Sequence, residues 1–260
     1  MSRVKKIFVI LFVSALFFVS CFLLWVSNNY VVPIMMYHNV ENTHYNEGNW
    51  ITPENFERHM IYLQEHGYHI ISLDELVSAI KENKRLAKKT VVITFDDGFE
   101  NNYTNAYFIL KKYGLTATMF VPSDLVNTKG RLSWHDLKEM VDNGIDIGSH
   151  GRVGDYLPSF SQIRQKDEIF ESKRILEEKL GIKVNYFAYP IGGFTPKIKK
   201  MLIAAGYKGA CTTNRGFDKK NKDVFELNRI KFSNKDNSDI ILWAKLSGYY
   251  NLFRGCKNPF

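Results

Sequence analysis

Cysteine is scarce in this chain of 260 residues: Cys21, Cys211 and Cys256 are all there is. No C-x-x-C spacing occurs and Cys21 sits inside an apolar run, so at most Cys211 and Cys256 are left to pair. That excludes a disulfide framework and a cysteine-built zinc module. Acidic residues are missing before Glu41, and no histidine follows His150. Lys and Arg are in excess but are not clustered beside aromatics, which excludes nucleic acid as an expected partner. Repeats and low-complexity segments are absent too, so neither a solenoid nor a disordered tail is expected.

A long hydrophobic run is what the N-terminus does have. Arg3, Lys5 and Lys6 precede residues 7–26, in which only Ser14, Ser20 and Cys21 are not strongly hydrophobic. Twenty such residues on a helix span about 30 Å, the hydrocarbon thickness of a bilayer. The expected layout is a basic cytoplasmic stub (1–6), a transmembrane signal anchor (7–26) and an extracytoplasmic domain (27–260). A cleaved leader is the less favoured alternative, because Phe22 to Val26 continue the apolar run past any small-x-small site. Setting the three anchor-side cations aside leaves +5 of the formal +8 on the domain. Such a charge suits anionic envelope polymers or lipid.

Beyond the anchor, short β-branched runs alternate with amphipathic stretches. Strands are expected at 32–37, 69–72, 90–95, 116–122, 145–149, 184–189, 209–213 and 227–232. Helices are expected at 53–66, 73–83, 103–113, 134–143, 161–180, 196–205 and 238–246. Glycines at 67, 114, 144, 181 and 206 follow five of these helices, and Thr52-Pro53 and Thr195-Pro196 read as an N-cap followed by proline at N1. Strict alternation implies a parallel α/β sheet, and seven or eight strands favour a closed or nearly closed barrel. Functional side chains in such a barrel sit at the C-terminal strand ends. Three of those ends carry chemistry: Met35-Met36-Tyr37-His38, Thr94-Phe95-Asp96-Asp97-Gly98 and Gly148-Ser149-His150.

These residues resemble the polysaccharide deacetylases of carbohydrate esterase family 4, the NodB-homology fold. Thr94–Gly98 matches the family's first motif, Gly148–His150 opens its second, and Phe187-Ala188-Tyr189-Pro190 sits where its third would lie. The opening Pro33-Ile34-Met35-Met36-Tyr37-His38 is similar to the subgroup with poly-N-acetylglucosamine deacetylases. The resemblance implies a distorted (β/α)7 barrel, NodB-like, preceded by the one N-terminal transmembrane helix. It implies an enzyme that removes N-acetyl groups from an N-acetylated glycan with a divalent metal, zinc by preference. Asp96 would be the general base, Asp97 and His150 metal ligands, and His38 the acid, since the late histidine that serves much of the family is lacking.

Two departures bear on that expectation. The family's second metal histidine falls at Gly154, which leaves Asp155 as a substitute ligand or else makes the protein a catalytically impaired glycan-binding pseudoenzyme. Ala188 stands where an arginine commonly supports the base, a place Arg229 can fill from the last strand. Tyr189, Pro190 and Trp134 are expected to wall the sugar groove. His44, His59, His66, His69 and His135 read as loop or polar-face residues, and residues 246–260 as a helix end packing across the barrel bottom.

Overall fold

The computed structural model describes residues 3–42, 48–216 and 218–260. Six strands, Ile34–Tyr37, Thr90–Phe95, Thr118–Val121, Asp146–Ser149, Tyr186–Ala188 and Gly209–Thr212, run parallel in that spatial order. All six positions of Thr90–Phe95 are buried, as a sheet covered by helices on one face and packed side chains on the other demands. The seventh strand is in two pieces. Leu227–Asn228 pairs with Cys211 and Thr212, and Ile230–Lys231 pairs with Met35 and Met36 of the first strand. The chain therefore changes partner at Arg229 and nearly closes the barrel. The expected strand at 69–72 shrinks to His69–Ile70, which pairs with Thr90 and Val91 and lies off the main strand path.

The expected helices form between those strands, and their ends follow local chemistry. Ser72 with Glu75 and Ser133 with Asp136 make reciprocal capping boxes. Gly114 and Gly181 end their helices with left-handed φ of 65° and 69°, a conformation that costs other L-residues about 1 kcal/mol. The helix expected at 103–113 begins instead with a wide π turn, Asn102–Tyr107, before the α-helical Phe108–Tyr113. From that turn Asn102 donates to the His38 carbonyl (2.6 Å) and Asn105 to the Val40 carbonyl (2.7 Å). The wider turn serves the loop after the first strand.

The C-terminal segment meets the expectation only in its first part: Gly248 accepts from the Val31 N–H and Tyr249 packs on Tyr30, ahead of the first strand at the barrel bottom. Further on, Phe194 donates to the Pro259 carbonyl, Gly216 to that of Lys257, and Lys257 to that of Asn214, just past the end of the sixth strand, so the last residues lie at the mouth of the barrel. The first helix, Arg3–Asn28, carries largely exposed Phe8, Phe12 and Phe18. Among the described residues no helix is long and apolar enough to cross a membrane, so the expected span stays a reading of the sequence.

Candidate active site

The break in the seventh strand aims Arg229 into the barrel. Its side chain is fully buried and grips Asp96 with two parallel contacts of 2.6 Å, one to each carboxylate oxygen. It also donates to the Thr212 carbonyl (3.0 Å) and to the Thr94 hydroxyl (3.2 Å), and lies 5.4 Å above the Phe120 ring. Burial pushes the Asp96 carboxyl up, but the Arg229 charge, then His150 and His38, hold it below the usual carboxylate value. A carboxylate buried this deeply is kept ionised by a fixed cation. The residue at the usual arginine position, Ala188, is buried in the neighbouring core, and Arg229 does its work from across the barrel.

Asp97 sits in a left-handed turn at φ 72°, followed by Gly98 at φ 58°. Arg131 donates to the Asp97 carbonyl and fixes that turn. A side chain at Gly98 would meet Val121 at 3.2 Å, so glycine is needed for both the angle and the space. The turn points the Asp97 carboxylate at His150, with Oδ1 and Nε2 3.5 Å apart. His150 donates from Nδ1 to the Ala188 carbonyl (2.8 Å), which leaves Nε2 as the atom facing Asp97. Burial raises the Asp97 carboxyl, but its contact with His150 brings it to about 2; burial lowers the His150 imidazole, but the two carboxylates raise it overall.

This pair suits a metal. Two ligands on one tetrahedral zinc, each bonded at about 2.0–2.1 Å, stand about 3.4 Å apart, and the orienting Nδ1–H bond to a carbonyl is the usual support of a ligating histidine. The third family position, Gly154, has φ 77° and packs beside His150 and Pro122. Asp155 is exposed, and among the described residues no third His, Cys, Asp or Glu side chain completes a group that could hold an ion. The described residues thus offer two donors, and among them the exposed Asp155 does not join Asp97 and His150 as a third.

His38, Asp96, Asp97 and His150 line one cleft of about 690 Å³ with Gly154 and Arg229. His38 Nδ1 is buried and makes no hydrogen bond. Burial lowers its pKa, an effect that Asp96 and Asp97 partly offset. The expected sugar wall is elsewhere. Tyr189 is buried, stacks on Phe194 and donates to the Phe225 carbonyl (3.0 Å), and Pro190 is buried beside it. Trp134 packs against the main core, and its backbone N–H donates to the Asn127 side-chain oxygen. Ile191, held at φ 57° and 61% exposed, is the residue of that loop that reaches the cleft. Sequence reasoning also missed Thr213, Asn214, Tyr250 and the cations of the C-terminal third; their one signal was the basic excess of the domain.

Comparison with known proteins places the chain by family and fold. The family model described as Polysaccharide deacetylase matches residues 83–210. The Bacillus subtilis (strain 168) protein YxkH, which carries the polysaccharide deacetylase name, is 31% identical over 204 residues, covering 78% of this chain and 71% of its own. A poly-beta-1,6-N-acetyl-D-glucosamine N-deacetylase of Staphylococcus epidermidis is 27% identical over 71% of this chain and 68% of its own. Among solved structures, the Streptococcus pyogenes deacetylase PplD in complex with acetate superposes with a TM-score of 0.77 at 29% identity, over 83% of this chain and 97% of that one. IcaB from Ammonifex degensii does so with 0.71 at 26% identity, over the same shares.

Proposed function

Because the chain belongs to the polysaccharide deacetylase family, we propose that it is a hydrolase that removes N-acetyl groups from a polysaccharide containing N-acetylglucosamine. The observation that carries this reading is the buried Asp96–Arg229 pair beside Asp97, His150 and His38 in one cleft. A buried ion pair is often no more stabilising than apolar residues of the same volume, so fold stability alone does not call for this one, and a module that only bound glycan would not need it. Asp97 and His150 would hold a divalent cation, zinc by preference. What such an ion supplies when bound is a Lewis acid that polarises the acetyl carbonyl and makes a water more acidic.

The remaining steps belong to the protein. Asp96 keeps free lone pairs on both oxygens beyond those taken by Arg229, and one of them accepts the proton of the attacking water. Arg229 holds the carboxylate in place while it does so. His38, at the end of the first strand in the same cleft, hands a proton to the departing glucosamine nitrogen. The competing reading, a glycan-binding barrel without turnover, draws on Gly154 and the exposed Asp155. Acetate release from N-acetylglucosamine oligomers separates the two. Wild type is expected to release acetate in a chelator-sensitive way, and Asp96→Asn to lose about 10²-fold or more of that rate. An unaffected Asp96→Asn chain would sink the mechanism.

Residues 7–26 are proposed as the membrane anchor, with the catalytic domain outside the cytoplasm. Support comes from the apolar run and from Arg3, Lys5 and Lys6 ahead of it. Carbonate extraction should leave the full chain in the membrane pellet, and a chain begun at Asn29 should appear in the soluble fraction. Release of the full chain by carbonate would refute the anchor.

A further inference from the structure

The cleft is asymmetric in charge. The catalytic flank carries Asp96, Asp97 and His150. The same cleft is also lined by Arg215, Lys231, Lys235, Lys245, Arg254 and Lys257, all beyond the stretch matched by the family model, which ends at residue 210. Lys245 is neutralised by Asp236 at 2.5 Å, and Asp96 is taken by Arg229. The other five cations have no carboxylate in ion-pair reach among the described residues. Arg215 donates to the carbonyls of Ile191 (2.8 Å) and Asn258 (2.7 Å), Arg254 to that of Arg229 (2.8 Å), and Lys231 to the side-chain oxygen of Asn49. Neutral acceptors fix the positions of these side chains but leave their charge standing.

The charge is also crowded. Burial, then the neighbouring Lys245, Lys235 and Lys257, depress the Lys231 ammonium, and burial depresses the Arg254 guanidinium. A set of cations that repel one another inside a concave wall is unfavourable in the free protein and becomes favourable once an anion is seated among them. Lys235 and Lys257 are exposed while Lys231 and Arg254 are partly buried, and the segment that carries Arg254 and Lys257 is held by its own backbone bonds at Lys257 and Pro259.

We infer that the cleft selects an anionic glycan, one in which a phosphate or carboxylate group lies a short distance along the chain from the N-acetylated sugar. This rests on the deacetylase reading for the reacting group, while the charge preference stands on the cation wall alone. The acetamido group is seated at Asp97, His150 and His38, and the anion at Lys231, Arg254 and Lys257. A neutral polymer would bring no carboxylate or phosphate to these five cations, which have none in ion-pair reach among the described residues.

The test uses the full-length chain and three oligomers of equal length: neutral N-acetylglucosamine, the same with one phosphate monoester, and the same with one lactyl carboxylate. Wild type is expected to favour at least one charged oligomer by about tenfold or more in kcat/KM, chiefly through KM, and raised salt should cut that to about two- or threefold. The double variant Lys231→Gln/Lys257→Gln, and Lys257→Gln alone at its exposed position, should each narrow the ratio between charged and neutral oligomers. Which charged oligomer is preferred separates phosphate from carboxylate. Equal use of all three, or a preference untouched by both variants, overturns the inference while leaving the deacetylase reading intact. Calorimetry on the Asp96→Asn chain covers the converse. If no oligomer is hydrolysed by wild type yet the charged ones bind in a salt- and Lys257-dependent way, the charge selection stands and the deacetylase reading falls.

Discussion

Single residues decide whether Asp96 works as a base. The sequence places two carboxylates after a buried strand, but it does not say which cation faces them, since Arg229 is 133 positions away and sits on a strand that breaks at that very residue. Replacing Arg229 with glutamine leaves a buried carboxylate with no counter-charge. Its pKa should rise, so that it is protonated in part at neutral pH, and deacetylation should fall by about 10²-fold or more. Breaking a buried pair from one side also costs about 3–5 kcal/mol of stability. The double variant Asp96→Asn/Arg229→Gln removes both charges and should be more stable than Arg229→Gln alone. Chemical unfolding of these two variants and wild type checks this; a double variant no more stable than the single would show that Arg229 acts through packing only. His38, Asp97 and His150 were legible because strand-end position alone puts them at the mouth. Tyr189 was not: its strand is three residues long, too short for alternation to tell an inward side chain from one facing the cleft.

At the scale of elements, the order of strands and helices follows closely from β-branched runs, caps and glycines, whereas contacts between elements do not. Gly148 shows why. A side chain there would stand 2.4 Å from the Phe120 ring, and that ring lies under the Arg229 guanidinium. The glycine of the second motif therefore clears space for the floor beneath the base, a role visible only once three strands are adjacent. The loop after His150 poses the opposite case. A Cβ at Gly154 would meet Pro122 at 3.4 Å and His150 at 3.6 Å, ordinary contacts, but the backbone is left-handed at φ 77°. Gly154→His should therefore fit sterically at a cost of about 1–2 kcal/mol in backbone strain, lowering the melting temperature by about 2–8 °C in metal-free buffer. If Asp97 and His150 are two of three ligands, the same variant should bind zinc about tenfold more tightly or better and recover that loss when zinc is added. Zinc titration against a chelating dye, with melting curves alongside, reads both effects. No gain in zinc affinity would mean that the loop, not the missing imidazole, governs the site.

The whole molecule is held shut by residues from its two ends, which is why no window of sequence reveals the closure. The first strand pairs with Ile230–Lys231, and His59 ties the same region together from the side. Although its sequence context reads as a polar helix face, His59 is 1% exposed: it accepts from the Tyr37 hydroxyl at Nδ1 (2.8 Å) and donates from Nε2 to the Asp236 carbonyl (2.7 Å). Three segments remote in sequence meet at one neutral imidazole. Burial lowers its pKa from 6.5 to about 4. Between those two values the unfolded chain binds a proton that the folded chain refuses, so stability rises with pH across the window. The contribution is complete above about pH 6.5 and is lost as pH falls toward 4; a shift of that size corresponds to about 3 kcal/mol. His59→Gln keeps one hydrogen bond and removes the titration. It should be less stable than wild type at pH 7 and flatter between pH 4 and 6.5, so that the two unfolding curves converge as the medium is acidified. Denaturant unfolding at steps across that range measures it directly. Parallel curves for the two proteins would place the acid sensitivity of the barrel at groups other than the imidazole that ties its first strand to its last.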